Sequence, residues 1–177
     1  RSEKYSATLA GIAAEEYPDM GKATGGQKVS VKIKMIEEVA REVAYAAAVD
    51  ESRPVLTGVQ FKTDDKEHLV VTATDGFRLA RKMFNVKSLM SSDLNNLILP
   101  ARTIMELARV GNESSFAPST PLRASEDKKE VEMEVLRESN KVMFNFGDIQ
   151  VISRILEGNF PEVDKIIPVE HKTQVTV

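Results

Sequence analysis

Residues 70–82 read VVTATDGFRLARK. An apolar pair leads into Thr72-Ala73-Thr74, Asp75-Gly76 interrupts it, and Phe77-Arg78-Leu79-Ala80-Arg81 then alternates apolar and cationic side chains. Asp-Gly between two runs of strand-forming residues is a turn signal. The stretch therefore predicts a strand over 68–74, a tight turn, and a second strand over 77–84. A leucine with an arginine close on either side is a solvated strand edge or a surface that holds something apolar and acidic.

Working outward, QKVSVKI (27–33) sets Val29, Val31 and Ile33 against Ser30 and Lys32, the period of a half-buried strand. From Lys34 the period lengthens. Ile36, Val39, Val43 and Ala47 recur at helical spacing, which predicts an amphipathic helix over 34–48 with Glu37 and Arg41 paired on its outer face. VLTGVQF (55–61) is expected as a strand with Val55, Thr57, Val59 and Phe61 on one face, and TDDKE as the turn before HLVVTAT. NNLILP (95–100) reads as a short strand, and ARTIMELARVG (101–111) as a second helix with Ile104, Leu107 and Ala108 inward and Gly111 as its C-cap. Residues 112–128 are rich in Ser and Pro and lack any period, so they read as a loop. Strands follow over 130–136, 140–146 and 149–155, the last two joined by a Gly147-Asp148 hairpin turn. Many antiparallel strands with two helices make an α+β domain.

The chain has 177 residues, net charge −3 and no Cys. That composition removes disulfides and thiolate chemistry and fits a reducing cytoplasm. It also argues against a protein that coats nucleic acid through bulk positive charge, although a locally positive face is compatible with it. The only histidines are His68, beside a turn, and His171, in a linker, too few for a closed structural zinc site. No metal or cofactor is expected. Gly21-Lys22-Ala23-Thr24 resembles the end of a phosphate loop, but Glu16 stands where the loop needs its first glycine.

Two distant segments match one another. EEYPDM (15–20) is followed by QKVSV (27–31), and GNFPEVDKIIP (158–168) is followed by HKTQVTV (171–177). Each has an acidic residue near an aromatic-Pro pair and then a Lys-bearing alternating strand. A match of such long period means tandem units of one fold. Residues 1–9 are accordingly expected as the last strand of a preceding domain, 10–26 as linker, 27–156 as a middle domain, 157–171 as linker, and 172–177 as the first strand of a following domain.

In combination, SRPVLTGVQF (52–61), TATDGFRLA (72–80), ILPARTIMELARV (98–110) and SRILEGNFPEVDKIIP (153–168) resemble the middle domain of the bacterial DNA polymerase III β subunit, the replication sliding clamp. The resemblance covers nearly all of the chain except 112–128. It implies the DNA-clamp fold, with antiparallel sheets outside and two helices on the inner face. It also implies a non-enzymatic processivity factor whose protomers, each of three similar domains, close as a homodimeric ring round duplex DNA. A chain holding one such domain is then expected to be monomeric.

The resemblance further implies a groove for short peptides carrying a Gln and a Leu/Phe pair. Such peptides belong to the DNA polymerase III α subunit, clamp-loader subunits and other replication and repair proteins. Carried over, Thr74, Gly76, Phe77, Arg78 and Leu79 fall on the turn and strand of that groove, Arg53 and Leu56 on the strand beside it, and Pro161, Lys165 and Ile166 on the linker that closes it. Phe77 stands where some members have His, and Lys165 where they have Arg. Gly76 suits the turn, Leu79, Ile166 and Pro161 suit apolar walls, and Arg78 can lie along them with its head in water. Lys34, Arg41, Arg102 and Arg109 are implied as the DNA-facing cations. Two other readings are a single-domain peptide-binding adaptor that never encircles DNA and a carboxylate-dependent hydrolase.

Overall fold

The computed structural model describes residues 8, 10–16, 25–63, 68–85, 96–113, 130–165 and 167. The strand expected over 1–9 apart from residue 8, the strand expected over 172–177, the turn 64–67 and most of the loop 112–128 lie outside the described residues. The chain runs β1 (Gln27–Lys32), α1 (Ile33–Glu42), β2 (Gly58–Thr63), β3 (His68–Thr74), β4 (Leu79–Asn85), β5 (Leu97–Pro100), α2 (Ala101–Glu113), β6 (Glu130–Leu136), β7 (Lys141–Phe146) and β8 (Ile149–Arg154). Among the described residues these strands form two antiparallel four-stranded sheets, ordered β1-β6-β7-β8 and β4-β3-β2-β5. The α+β expectation holds.

The order contains a duplication. Strand, helix and three-stranded meander occur twice, as β1-α1-β2-β3-β4 and as β5-α2-β6-β7-β8, and the first strand of each half pairs into the sheet of the other. β1 lies along β6 with Val29 opposite Met133, and β5 lies along β2 with Val59 opposite Leu99. Neither half can close its own sheet without the other. One apolar cluster joins Val39, Ile36, Ile104 and Leu107 of the helices to Val59, Phe61, Leu69, Val71, Leu97 and Leu99 of one sheet and Val131, Met133, Val142 and Phe144 of the other. Full burial of each such side chain stabilises the fold by roughly 1.5–3 kcal/mol. The single core therefore fixes both helices across both sheets.

Four local expectations are corrected. α1 ends at Glu42 because Val43 leaves helical geometry at φ −122°, and a 3-10 turn, Ala44–Ala46, carries the chain on. Val43, Ala44, Ala46 and Ala47 nevertheless stay buried, so the apolar period ran past the helix that produced it. Residues Pro54–Thr57 form a 3-10 turn instead of a strand, with Pro54 in the first turn, where its missing N–H costs nothing. Gly111 is inside α2, not a C-cap. A β-carbon there would sit 2.8 Å from the Ile33 Cγ2 methyl, so the glycine permits close approach of the two helix regions. The Glu37–Arg41 pair is likewise replaced: Arg41 turns to Glu42, with Nη2 2.8 Å from Oε1. The Gly147-Asp148 hairpin turn is as expected, with Phe146 opposite Ile149 across it.

Candidate functional site

The β3–β4 turn is built by Asp75. One carboxylate oxygen accepts hydrogen bonds from the backbone N–H groups of Phe77 and Arg78, both at 2.9 Å, and the other accepts from Arg78 Nε at 2.9 Å. The Thr74 hydroxyl donates to the Arg78 carbonyl at 2.8 Å and accepts from the Gly76 N–H at 3.1 Å. Gly76 sits at φ +93°, a conformation that disfavours a side chain even though open space surrounds it. These bonds turn Phe77 wholly into solvent, at 101% exposure. They also fix the Arg78 guanidinium, on a side chain that is 54% exposed. It is held by Asp75 and lies 5.9 Å from the centroid of the Tyr45 ring, within cation–π range.

The amides of Arg78 and then Phe77 hold the Asp75 carboxyl below its ordinary pKa, with smaller help from the Arg78 charge. A depressed carboxylate contributes its full stabilisation above the unfolded pKa and loses it as pH falls through the folded one. The turn should therefore stay formed through neutral and mildly acidic pH and loosen only below the ordinary carboxylate range. Amide chemical shifts of Phe77 and Arg78, followed from pH 7 downward, should move together with a midpoint below that of an exposed aspartate. Asp75→Asn should abolish that transition.

Leu79, the first residue of β4, is half-buried in a second apolar cluster. Its neighbours there are Val55 and Leu156, also half-buried, and Ile98, Phe160 and Val163, which are buried. The segment after β8 reaches this place because the Leu156 N–H donates to the Ile98 carbonyl at 2.9 Å, continuing from the edge of β5. It is then held over the outer face of the sheet by Asp164, which pairs with Arg81 at 2.8 Å and Lys62 at 3.6 Å. An open recess of about 440 Å³ lies beside it, lined by Gln60, Lys62, Thr72, Arg81, Asn96 and residues 160–165.

Of the groove residues expected from the sequence, Thr74, Gly76, Phe77, Arg78 and Leu79 are contiguous in this turn and strand, with Thr74 opposite Leu79. Leu56 is buried outside the Leu79 cluster, and Arg53 is exposed at the start of the Pro54–Thr57 turn, not on a strand. Pro161 is exposed, and exposed Lys165, at the end of the 3-10 turn Val163–Lys165, pairs with Glu162 just before that turn. Ile166 lies outside the described residues. Sequence reasoning missed Val55, Ile98, Leu156, Phe160 and Val163. Phe160 and Val163 bracket Pro161 in the very segment that carried the resemblance, and they were the available signal.

The family model described as DNA polymerase III beta subunit, central domain, matches residues 30–162. The chain belongs to this family. It is 30% identical over 175 residues to the beta sliding clamp of Streptococcus pneumoniae, covering 99% of this chain and 42% of that protein. With the beta sliding clamp of Staphylococcus epidermidis it shares 27% over 169 residues, 96% of this chain and 40% of that one. The solved structure of the DNA polymerase III beta chain of Streptococcus pneumoniae matches with a TM-score of 0.75 at 28% identity, over 96% of this chain and 41% of that one. The DNA polymerase sliding clamp of Bacillus subtilis matches at 0.72 and 26%, over 96% and 40%. The chain thus spans about two-fifths of the length of these relatives.

The duplication within this beta-subunit central domain brings a second set of residues into correspondence. Each helix follows directly on the first strand of its half, so Lys34 of α1 and Arg102 of α2 are equivalent, as are Arg41 and Arg109. Buried Ile36 and Val39 answer to buried Ile104 and Leu107. The four cations implied as DNA-facing are all exposed, on the helix faces opposite that core. Arg109 Nε lies 3.0 Å from Glu106 Oε2. Glu38, the counterpart of Glu106, is instead taken by Lys82 of β4 at 2.6 Å, and the same ammonium lies 2.6 Å from Glu42. Glu38 first and Glu42 second hold the Lys82 ammonium above its ordinary pKa. Lys82 and then Arg41 hold the Glu42 carboxyl below its own.

Proposed function

We propose that this chain is the middle part of a sliding clamp, a cytoplasmic, non-catalytic processivity factor that tethers the replicative polymerase to duplex DNA. The observation that carries this reading is Leu79: a half-exposed apolar side chain, beside a rigid turn, in a small cluster of its own apart from the main core. An apolar floor with polar edges suits a short linear peptide that anchors through Leu and Phe while its Gln bonds at the rim. The family match supports the reading, since the proteins similar to this chain are sliding clamps. Peptides of the DNA polymerase III α subunit, the clamp loader and repair proteins are the occupants. The acids nearest the groove serve structure, Asp75 in the turn and Asp164 in the ion pairs, which leaves the hydrolase reading without support.

The helix faces are the DNA side. Lys34, Arg41, Arg102 and Arg109 meet phosphates without reading bases, which is what a ring that slides needs. The whole protein closes as a homodimeric ring, and this chain alone is monomeric.

A fluorescence titration with a labelled peptide containing Gln and a Leu-Phe pair tests the groove. Saturable binding that unlabelled peptide reverses is expected, while sedimentation shows a monomer. No saturation, or equal binding of a peptide with Leu and Phe replaced by Ser, overturns the reading.

A further inference from the structure

The two helix faces proposed to meet DNA carry as much negative charge as positive. Against exposed Lys34, Arg41, Arg102 and Arg109 stand Glu37, Glu38, Glu42 and Glu106 on the same two helices. The pairing is organised by the duplication. At the second cation of each helix an arginine is met by a carboxylate within 3.0 Å, Glu106 for Arg109 and Glu42 for Arg41. In α2 the partner lies three residues back. In α1 that position is Glu38, already taken by Lys82, and the partner is the next residue, where α2 has Val110. Glu42 is itself fixed from the other side by Lys82, whose ammonium lies 5.2 Å from the centroid of the Phe84 ring. Two different local solutions give the same result at equivalent places.

Resting on the reading of these helices as the DNA side, we propose that Glu42 and Glu106 are positioning residues that compete with phosphate for Arg41 and Arg109. They hold each guanidinium along the helix and keep the grip on DNA loose. A phosphate that takes either arginine must first displace a carboxylate at hydrogen-bond distance. The duplex is therefore held by few persistent contacts, and the contacts that do form are short-lived. A ring that must move along the duplex benefits from a weak hold, because encirclement already prevents escape.

The test is binding of a labelled duplex of arbitrary sequence to the 177-residue chain at several salt concentrations. Glu42→Gln and Glu106→Gln should each tighten binding and steepen the salt dependence by about 0.9 in log–log slope, the value of one further phosphate contact. Between 50 and 200 mM salt that is roughly a threefold larger loss of affinity per variant. Glu138→Gln, in the 3-10 turn between β6 and β7, removes the same charge away from the helices and should change neither quantity. Adding Arg41→Ala to Glu42→Gln should cancel the gain. Glutamine variants that bind no tighter than the parent, or a Glu138→Gln variant that gains as much, overturn the proposal. If Arg41→Ala and Arg109→Ala still weaken the parent in that case, the DNA-facing reading survives it. If neither the parent nor a chain carrying both Glu42→Gln and Glu106→Gln binds duplex while the labelled peptide still binds, the DNA side is misplaced and the proposal falls with it.

Discussion

Leu79→Asp should abolish peptide binding, lowering affinity by at least about a hundredfold, while the chain stays folded. The side chain is only half-buried, so in the free protein the new carboxylate can turn to water, and strand pairing to Thr74 uses the backbone alone. A bound peptide removes that escape. Its Leu or Phe would close over a carboxylate whose neighbours are Val55, Ile98, Leu156, Phe160 and Val163, with no cation among them. Desolvating an unpaired charge costs several kcal/mol even after relaxation, and each 1.4 kcal/mol is a factor of ten in affinity. Leu79→Ala should be much milder, since it removes contact area and adds no charge. Arg102→Ala, on the helix face, should leave the peptide affinity unchanged. Fluorescence titrations of the three variants, each checked by circular dichroism, make the comparison. Full-strength binding by folded Leu79→Asp would place the groove elsewhere.

Much of the fold was legible because burial leaves a period in the sequence. QKVSVK and EVEMEVL alternate since one face of each strand meets the core, and the structure pairs these two strands with Val29 opposite Met133 and Val31 opposite Val131. The two misread element bounds share one cause: period reports which side chains are inward and says nothing of backbone hydrogen bonds. Val43 and Ala47 continue the inward stripe of α1, yet they lie beyond its end on a 3-10 turn that keeps them buried. Val55 and Thr57 alternate with Val59 and Phe61, yet Pro54 opens a 3-10 turn there and the strand waits for Gly58.

The site was half legible. Turn chemistry is local, so TATDG marked its own geometry, and Gly76 at positive φ is what that motif needs. What Arg78 does is not local. Its route to Tyr45 depends on where the 3-10 turn Ala44–Ala46 falls over β3 and β4, which no spacing within FRLA reveals. The partners of Leu79 come from three separated segments, two of them joined by the backbone bond between Leu156 and Ile98. The equivalence of KMIEEVAR and RTIMELAR could have been read directly: both carry a cation, Ile, Glu, an aliphatic residue, Ala and Arg at the same intervals. The long-period match points toward neighbouring domains, whereas this equivalence lies between the two halves of one domain.

Leu107→Ala should be the most damaging simple truncation in the helices, destabilising the chain by about 2–5 kcal/mol. Leu107 is fully buried at 0% exposure and belongs to the cluster that joins both helices to both sheets. It also borders a small internal void of about 30 Å³, whose other walls include Val39, Phe61, Leu69, Ile104, Met133 and Phe144. Those walls are apolar, so water gains no partner by entering, and an enlarged void stays empty. A leucine lost at this place therefore adds its volume to space the core already leaves unfilled. Collapse is the usual remedy, and here it is blocked, because β1 and β5 are each pinned into the sheet of the other half and the helices cannot settle on one sheet without leaving the other. The cost should fall toward the upper end of the range, a large part of a total stability of about 5–15 kcal/mol. Val110→Ala, on the half-buried side of the same helix, should cost far less. Urea denaturation of both variants, read as a change in midpoint at constant slope, measures the difference. A loss below about 1 kcal/mol for Leu107→Ala would mean that the two halves can move relative to one another, and that the exchanged first strands do not lock the core.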